Sequence, residues 1–495
     1  MPRPDPRLGA LLAAGALLLT GCTAGGSPSP SPSPTPRPFT VMSTDQVRVT
    51  DPAAVTDAAS AMLTLNVFQR LYSTLPGETK LEPDAARDCI FTTATTLTCT
   101  LNEDEHFQNG DELTSSDVKF SIDRARRLAV PGSSAGLLSS LRRIETPDPL
   151  TVRFLLSRVD NQFAWGLAAP AASIVDEQLY DPDTVRPPGE SVVGSGPFSV
   201  TSYDKNAIGL QRYPDYVGRT PAKLDSLVYR SVADSATVED SMNKGLVDLV
   251  WRGLDEAAVT RLSSQTVDNP DKTTANGFHQ EVLTGTRVQQ LVWNPASRSR
   301  SDRPLRQAIT LSLQGDRTSD SVVPGGVPGH AGSFPLGGKA KPKVTWGKNI
   351  TLTLGYDSTI PNGRDTATQI RTRLEDTGGL SVRLRPDEEG DLTLVDRKAW
   401  TATALAWLQP YLTDPLPGSA ATLASTEAAV RRASPTDDAQ LAPLLASLQK
   451  QAASDETVLP VTQSDEYVYV RDGAEIPPTS YGPGWQLGLF GVTRG

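Results

Sequence analysis

The residues that build catalytic and metal centres are scarce in this chain. It has 495 residues but only three Cys and three His, and aromatics make up 6%. His106, His279 and His330 stand apart, with no partner at metal-ligand spacing, so no metal and no cofactor is expected. The sequence has no HExxH and no phosphate-binding loop. Gly194-Ser195-Gly196 is followed by Pro197 where a dinucleotide-binding helix would open, so it reads as a turn. Carboxylate pairs such as Glu103/Glu105 and Asp387/Glu389 lie in polar stretches and read as solvated faces. A basic excess is also missing. The 47 Lys and Arg against 57 Asp and Glu give a net charge of −10, which argues against nucleic acid as a partner. No apolar run reaches the roughly 18 residues of a membrane span. What is abundant is Pro (40) and Gly (39), with 38% hydrophobic and 21% charged residues, the make-up of a folded body with many loops and a linker.

The N-terminal segment carries a different signal. Arg3 and Arg7 precede a short apolar run, LGALLAAGALLL, that ends in Leu19-Thr20-Gly21-Cys22. This resembles a bacterial lipoprotein signal peptide over residues 1–21, with Cys22 as the lipidated residue; the alternative is an ordinary signal peptide with an incidental Cys. The expected location is extracytoplasmic, anchored to the outer face of the bacterial cytoplasmic membrane. Residues 22–38 form the linker. SPSPSPSPTPRP, with Pro at every second position, favours an extended spacer of about 37 Å. Such a stalk holds a body away from the membrane or carries it across wall material.

The two remaining cysteines, Cys89 and Cys99, suit an exported protein. Leu97, Cys99 and Leu101 alternate with threonines, the period of a strand with one buried face. If Cys89 lies opposite Cys99, Phe91 lies opposite Leu97, and a disulfide closes the hairpin.

Beyond the linker, helices and strands mix without repeats, which predicts an α/β architecture. Strands are expected at FTVMS and QVRVT within 39–50, at 151–155, 227–229, 246–250 and 287–293. Thr114 with Asp117 three residues on predicts a capped helix to about Leu128, with Val118, Ile122 and Ala125 inward. Asp234 caps a second helix ending at Gly245, and 304–313 is a third. Residues 315–347 read as a long loop. A strand at 350–355, a helix at 364–376 and a strand at 380–384 form a β-α-β unit, a further helix covers 440–452, and a strand-like run covers Glu466 to Arg471.

The order of short motifs resembles the family 5 solute-binding proteins of ABC importers, the oligopeptide, dipeptide and nickel group. The most specific stretch is Phe107-Gln108-Asn109-Gly110 followed by Leu113-Thr114-Ser115-Ser116-Asp117-Val118. Val193-Gly194-Ser195-Gly196-Pro197-Phe198, Gly245-Leu246-Val247-Asp248 and Pro304-Leu305-Arg306-Gln307-Ala308 follow in the family's order. The resemblance implies a type II two-lobed periplasmic-binding-protein-like fold whose lobes are joined by two chain crossings. Lobe one is then 39–282 plus 460–495, and lobe two 286–458. It also implies a ligand-binding Asp in a W-x-x-D-Y-x-x-P motif. This chain reads Trp407-Leu408-Gln409-Pro410-Tyr411-Leu412-Thr413-Asp414-Pro415, so Pro410 or Tyr411 stands at the Asp position. Trp407, Gln409, Tyr411 and Asp414, with Asp51 as a substitute carboxylate, are the candidate ligand-binding residues. Trp407 and Tyr411 either line the cleft or pack in the core of the second lobe.

The function implied is that of a lipid-anchored receptor, and not an enzyme. It would capture a peptide-like or other small polar solute between two lobes and deliver it to ABC permease and ATPase subunits, acting as a monomer. The missing Asp favours a solute that is neutral or N-blocked over a free peptide. The alternatives are a non-transport sensor or degenerate receptor, with which the basic loop Lys339–Lys348 is compatible, and an exported cell-wall hydrolase.

Overall fold

The computed structural model describes residues 37–495 except 75–79, 339–348, 359, 361, 435–436, 478–479, 483 and 485. The leader, Cys22, most of the Ser/Pro stretch and the basic loop lie outside the described residues. No described helix is long and apolar enough to cross a membrane.

The strands of the two main sheets are β1 (Phe39–Ser43), β2 (Ala86–Thr93), β3 (Thr96–Leu101), β4 (Leu141–Asp148), β5 (Thr151–Leu156), β6 (Phe198–Asp204) and β7 (Ala207–Arg212). They continue with β8 (Ser226–Ser231), β9 (Leu249–Trp251), β10 (Phe278–Trp293), β11 (Ile350–Tyr356), β12 (Leu380–Pro386), β13 (Leu392–Arg397) and β14 (Val458–Arg471). The larger sheet runs β12-β11-β13-β10-β14-β9-β1-β8-β7-β6, and the smaller β2-β3-β5-β4. β1 is buried along its whole length because parallel neighbours, β8 and β9, flank it on both edges.

β10 and β14 are the two chain crossings. They pair antiparallel from Phe278↔Arg471 to Val292↔Val458. At one end β14 pairs with β9, and at the other β10 pairs with β13. The ladder breaks between Leu283 and Arg287. Gly285 sits in that break with φ 67°, and a Cβ there would stand 2.9 Å from the Gln463 amide. On one side of the crossings a core is drawn only from residues between Leu291 and Val461. On the other, Phe39, Leu63 and Leu227 pack with Val468, Leu489 and Val492, so the C-terminal segment belongs to the core of β1. A third core, from Leu71 to Ile174, lines the smaller sheet.

Local chemistry explains most elements. The helix Ser115–Leu128 starts at a complete capping box, with Thr114 and Asp117 each bonding the other's backbone, and buries Val118, Ile122 and Ala125. Asp234 caps the helix Ser235–Asn243, and Gly245 follows in the left-handed region. Cys89 faces Cys99 and Phe91 faces Leu97 across β2 and β3, and a disulfide joins the cysteines. Gly194 and Gly196 press against the Val67 carbonyl, where a Cβ would lie 2.0 Å from its oxygen or 2.5 Å from its carbon.

Glu105, read as solvated, is instead buried and accepts from Gln69 and Asn102, and three expectations about strands need correction. QVRVT is no strand, because the Arg48 and Val49 N–H groups donate to Ser60 Oγ instead of a neighbouring chain. The strand expected from Leu246 begins at Leu249, and Leu246 itself is exposed. β14 starts at Val458, well before the expected Glu466, because it must span both parts of the sheet.

Candidate functional site

A cleft of about 1110 Å³ opens between two walls. One wall comes from the segment after β1, from Thr44 to Ala58, and from residues after β8. The other comes from the ends of β11 and β13 and the loop between Asp387 and Glu389. Since β11 and β13 run parallel, this is the crevice at the carboxyl ends of parallel strands, a common place for ligands. A second cavity of about 320 Å³ lies along β14 and is lined by Gln289, Thr462 and Gln463.

Arg252 lines both cavities. It follows β9 in the left-handed region at φ 52°, which aims its side chain between the walls. Its Nε donates to Asp45 Oδ2 at 2.6 Å, Nη1 to Glu466 Oε1 at 3.1 Å and Nη2 to Asp396 Oδ2 at 3.0 Å. Asp45 comes from the β1 side, Asp396 from β13 and Glu466 from the crossing strand β14. Lys398 adds a second cation to Glu466 at 3.0 Å, and Arg287 stands 3.9 Å from Asp396. Three carboxylates and three cations therefore meet where the two parts of the sheet join.

The environment pulls these groups in different directions. Burial alone would push Glu466 up, but Lys398 and Arg252 overcome it and hold its carboxyl at about 2. Burial would ease the proton off Arg252, yet Asp45, Asp396 and Glu466 raise it well above its ordinary value. For Asp45 burial wins over Arg252, and its pKa is raised.

A separate set of contacts joins residues 132–162 to residues 400–433. Asp160 and Arg431 form a buried ion pair at 3.0 Å, with side chains 0% and 8% exposed. The Asn161 side chain donates to the carbonyls of Val430 and Ala433, and its backbone N–H to that of Arg431. Thr403 donates to Gln162 at 2.7 Å, and the Trp400 indole to the Gly132 carbonyl at 3.3 Å.

The candidates expected from sequence lie elsewhere. Trp407, Gln409 and Tyr411 are on the helix Ala404–Thr413, which tolerates Pro410 in its interior. Tyr411 is buried and donates to Asp455 Oδ2 at 2.6 Å, and Trp407 packs against the core around Leu291. Gln409 is half-buried and donates to Thr413. Asp414 ends the helix, and its carbonyl accepts from Arg300. Asp51 is buried in a two-pronged pair with Arg124, at 2.9 and 2.5 Å. None of the five lines either cavity. Asp45, Arg252, Asp396 and Glu466 escaped sequence reasoning because tertiary structure alone brings them together. The one local signal was a charge at the end of an apolar strand, as in Leu-Val-Trp-Arg252 and Leu-Val-Asp396.

Residues 80–345 match the model of the bacterial extracellular solute-binding proteins, family 5, middle region. The chain belongs to that family. Family 5 members are binding proteins rather than enzymes. The probable D,D-dipeptide-binding periplasmic protein DdpA of Escherichia coli K12 is 25% identical over 374 residues, 70% of this chain and 69% of DdpA. The glutathione-binding protein GsiB of the same strain is 27% identical over 193 residues, 38% of this chain and only 36% of GsiB. Among solved structures, DppA of Helicobacter pylori in complex with the peptide STSA superposes with a TM-score of 0.76 at 19% identity, covering 92% of this chain and 98% of DppA. AgaA in complex with agropinic acid, from A. tumefaciens R10, gives 0.77 at 19% identity over 92% of this chain and 98% of AgaA. The shared feature is the fold, and this family 5 chain is a two-lobed binding protein.

Proposed function

We propose that this family 5 protein is the extracytoplasmic receptor of an ABC importer. It closes two lobes over a small peptide-like or other polar solute and hands it to a membrane permease, held at the membrane by lipid on Cys22. The observation that carries the reading is the cleft of about 1110 Å³, walled by both lobes and placed beside the two crossings. Closure over a solute there excludes water and strengthens polar contacts. The relatives named for dipeptide and glutathione binding support a peptide-like class, while the neighbour that holds agropinic acid supports a wider one. We assign the solute to the cleft rather than to the helix of Trp407 and Tyr411. We divide the lobes as 39–282 plus 460–495 and 286–458, with the first crossing at the break between Leu283 and Arg287.

Mass spectrometry of the solute that co-purifies with the protein, followed by calorimetry with that solute, tests the reading. Stoichiometric binding is expected, and deletion of the gene is expected to abolish uptake of that solute. Binding without any loss of uptake would favour the second reading, a non-transport sensor. Ties between the lobes themselves, such as Asp160 to Arg431, speak for that reading. Replacement of Cys22 by Ala is expected to release the protein from the membrane fraction; unchanged association would refute the lipid anchor.

A further inference from the structure

The walls of the cleft are strongly unequal in charge. Seven carboxylates line it against two guanidinium groups, Arg48 and Arg252. All three kinds of guanidinium nitrogen in Arg252 are already engaged by Asp45, Glu466 and Asp396, so it has little to offer an anionic solute. Arg48 acts on Asp57 through its charge and makes no hydrogen bond to it.

Two of the lining carboxylates each keep one oxygen with no hydrogen-bond partner, although both oxygens are buried. The Asp396 side chain is 1% exposed. Its Oδ2 accepts from Arg252, and its Oδ1 has no donor. Asp57 stands on the opposite wall, as the cap of the helix Ala58–Val67. Its Oδ1 accepts from the Ser60 N–H at 2.9 Å, and its Oδ2 has no donor. A buried anionic oxygen without a donor is costly. The groups that repay both a charge and a missing donor are an ammonium or a guanidinium.

We propose that the cleft takes an organic cation, a solute bearing at least one ammonium or guanidinium group, held by Asp396 on one wall and Asp57 on the other. This rests on the receptor reading above and names its substrate class. It departs from the neutral solute expected from sequence, because the anionic groups come from positions 57 and 396 and not from the Trp407 motif. A cation bridging the two walls contacts both lobes only when they are closed, so it favours closure.

Calorimetry with spermidine and arginine amide as cationic probes, an N-acetylated dipeptide amide as a neutral probe and succinate as an anionic one tests the assignment. Saturable binding of a cationic probe is expected, weakened at least tenfold by Asp396→Asn and by Asp57→Asn. Asp57→Asn keeps an oxygen for the Ser60 N–H, so it remains a usable test if Asp396→Asn fails to fold. Unfolding curves of both variants serve as the control. Binding of the neutral or anionic probe but of neither cation would overturn the charge assignment and leave the receptor reading standing. Cation binding of unchanged strength in a folded Asp57→Asn variant would also overturn it. Failure of every probe, with no co-purifying solute, would overturn both readings.

Discussion

Replacement of Arg252 by Met removes one cation and leaves three carboxylates facing each other at the junction of the lobes. Met keeps much of the side-chain volume, and the left-handed backbone at this position is retained, so the change isolates charge. Breaking a buried ion pair from one side costs roughly 3–5 kcal/mol. An independent figure comes from Glu466, whose carboxyl is held at about 2 instead of the ordinary 4.5. By linkage that depression corresponds to roughly 3 kcal/mol, shared between Lys398 and Arg252. A depressed carboxylate contributes stability that is fully present above its unfolded pKa and is lost as pH falls toward the folded value. The window for Glu466 therefore runs from about pH 4.5 down to about pH 2. Asp45 acts in the opposite sense, since its raised pKa makes its protonation favourable to the fold and offsets part of the loss in acid. In the variant Asp45 loses the cation that opposed its burial and gains more from protonation, and Glu466 keeps only Lys398. The stability gap between the two proteins is therefore expected to be about 3–5 kcal/mol at pH 7 and to narrow steadily toward pH 3. Urea unfolding followed by tryptophan fluorescence at the two pH values measures it. A loss below about 1 kcal/mol at pH 7, or a gap that does not narrow in acid, would refute the reasoning.

Three further outcomes are expected. Replacing Cys89 and Cys99 by Ser opens a loop with a sequence separation of 10, and the chain-entropy model puts the loss near 3 kcal/mol; thiol titration of the unreduced, unfolded parent protein finds neither of these two cysteines free. Arg431→Met leaves Asp160 buried without its cation, at a cost of about 3 kcal/mol, and a larger radius of gyration in X-ray scattering is the accompanying sign of lobe opening; unchanged scattering counts against a tie between lobes. Tyr411→Phe strips Asp455 Oδ2 of its donor and lowers stability by roughly 1–3 kcal/mol, while affinity for the co-purified solute stays the same; a loss of affinity would return Tyr411 to the binding site.

Sequence reasoning succeeded where the physics is local. The Thr114 capping box, the Asp234 cap and the facing of Cys89 and Cys99 each depend on residues within about a dozen positions, and each is present. It failed where a distant group decides. QVRVT has the alternation of a strand, but the Ser60 hydroxyl takes its N–H groups. The helix Ala404–Thr413 was hidden by Pro410 and by likeness to a ligand-binding loop, and packing of Leu405, Leu408 and Tyr411 carries it through the proline. For the site the separation is wider still. Asp45, Arg252, Asp396 and Glu466 are joined only by the order of strands in the sheet, and no spacing in the sequence encodes that order.

The grip of Asn161 on the helix Ala420–Arg432 has a consequence for measuring motion. The carbonyls of Val430 and Ala433 at the end of that helix, between the two crossings, are capped by a side chain from outside them. In the lobe division proposed above, the helix end is completed by the other lobe. The backbone proton of Asn161 is bonded to the Arg431 carbonyl by the same contact. That proton is shielded from solvent exchange through the partner lobe, so its exchange rate acts as a clock for how often the lobes part. A solute that holds the cleft shut is expected to slow this amide, whose residue does not line the cleft.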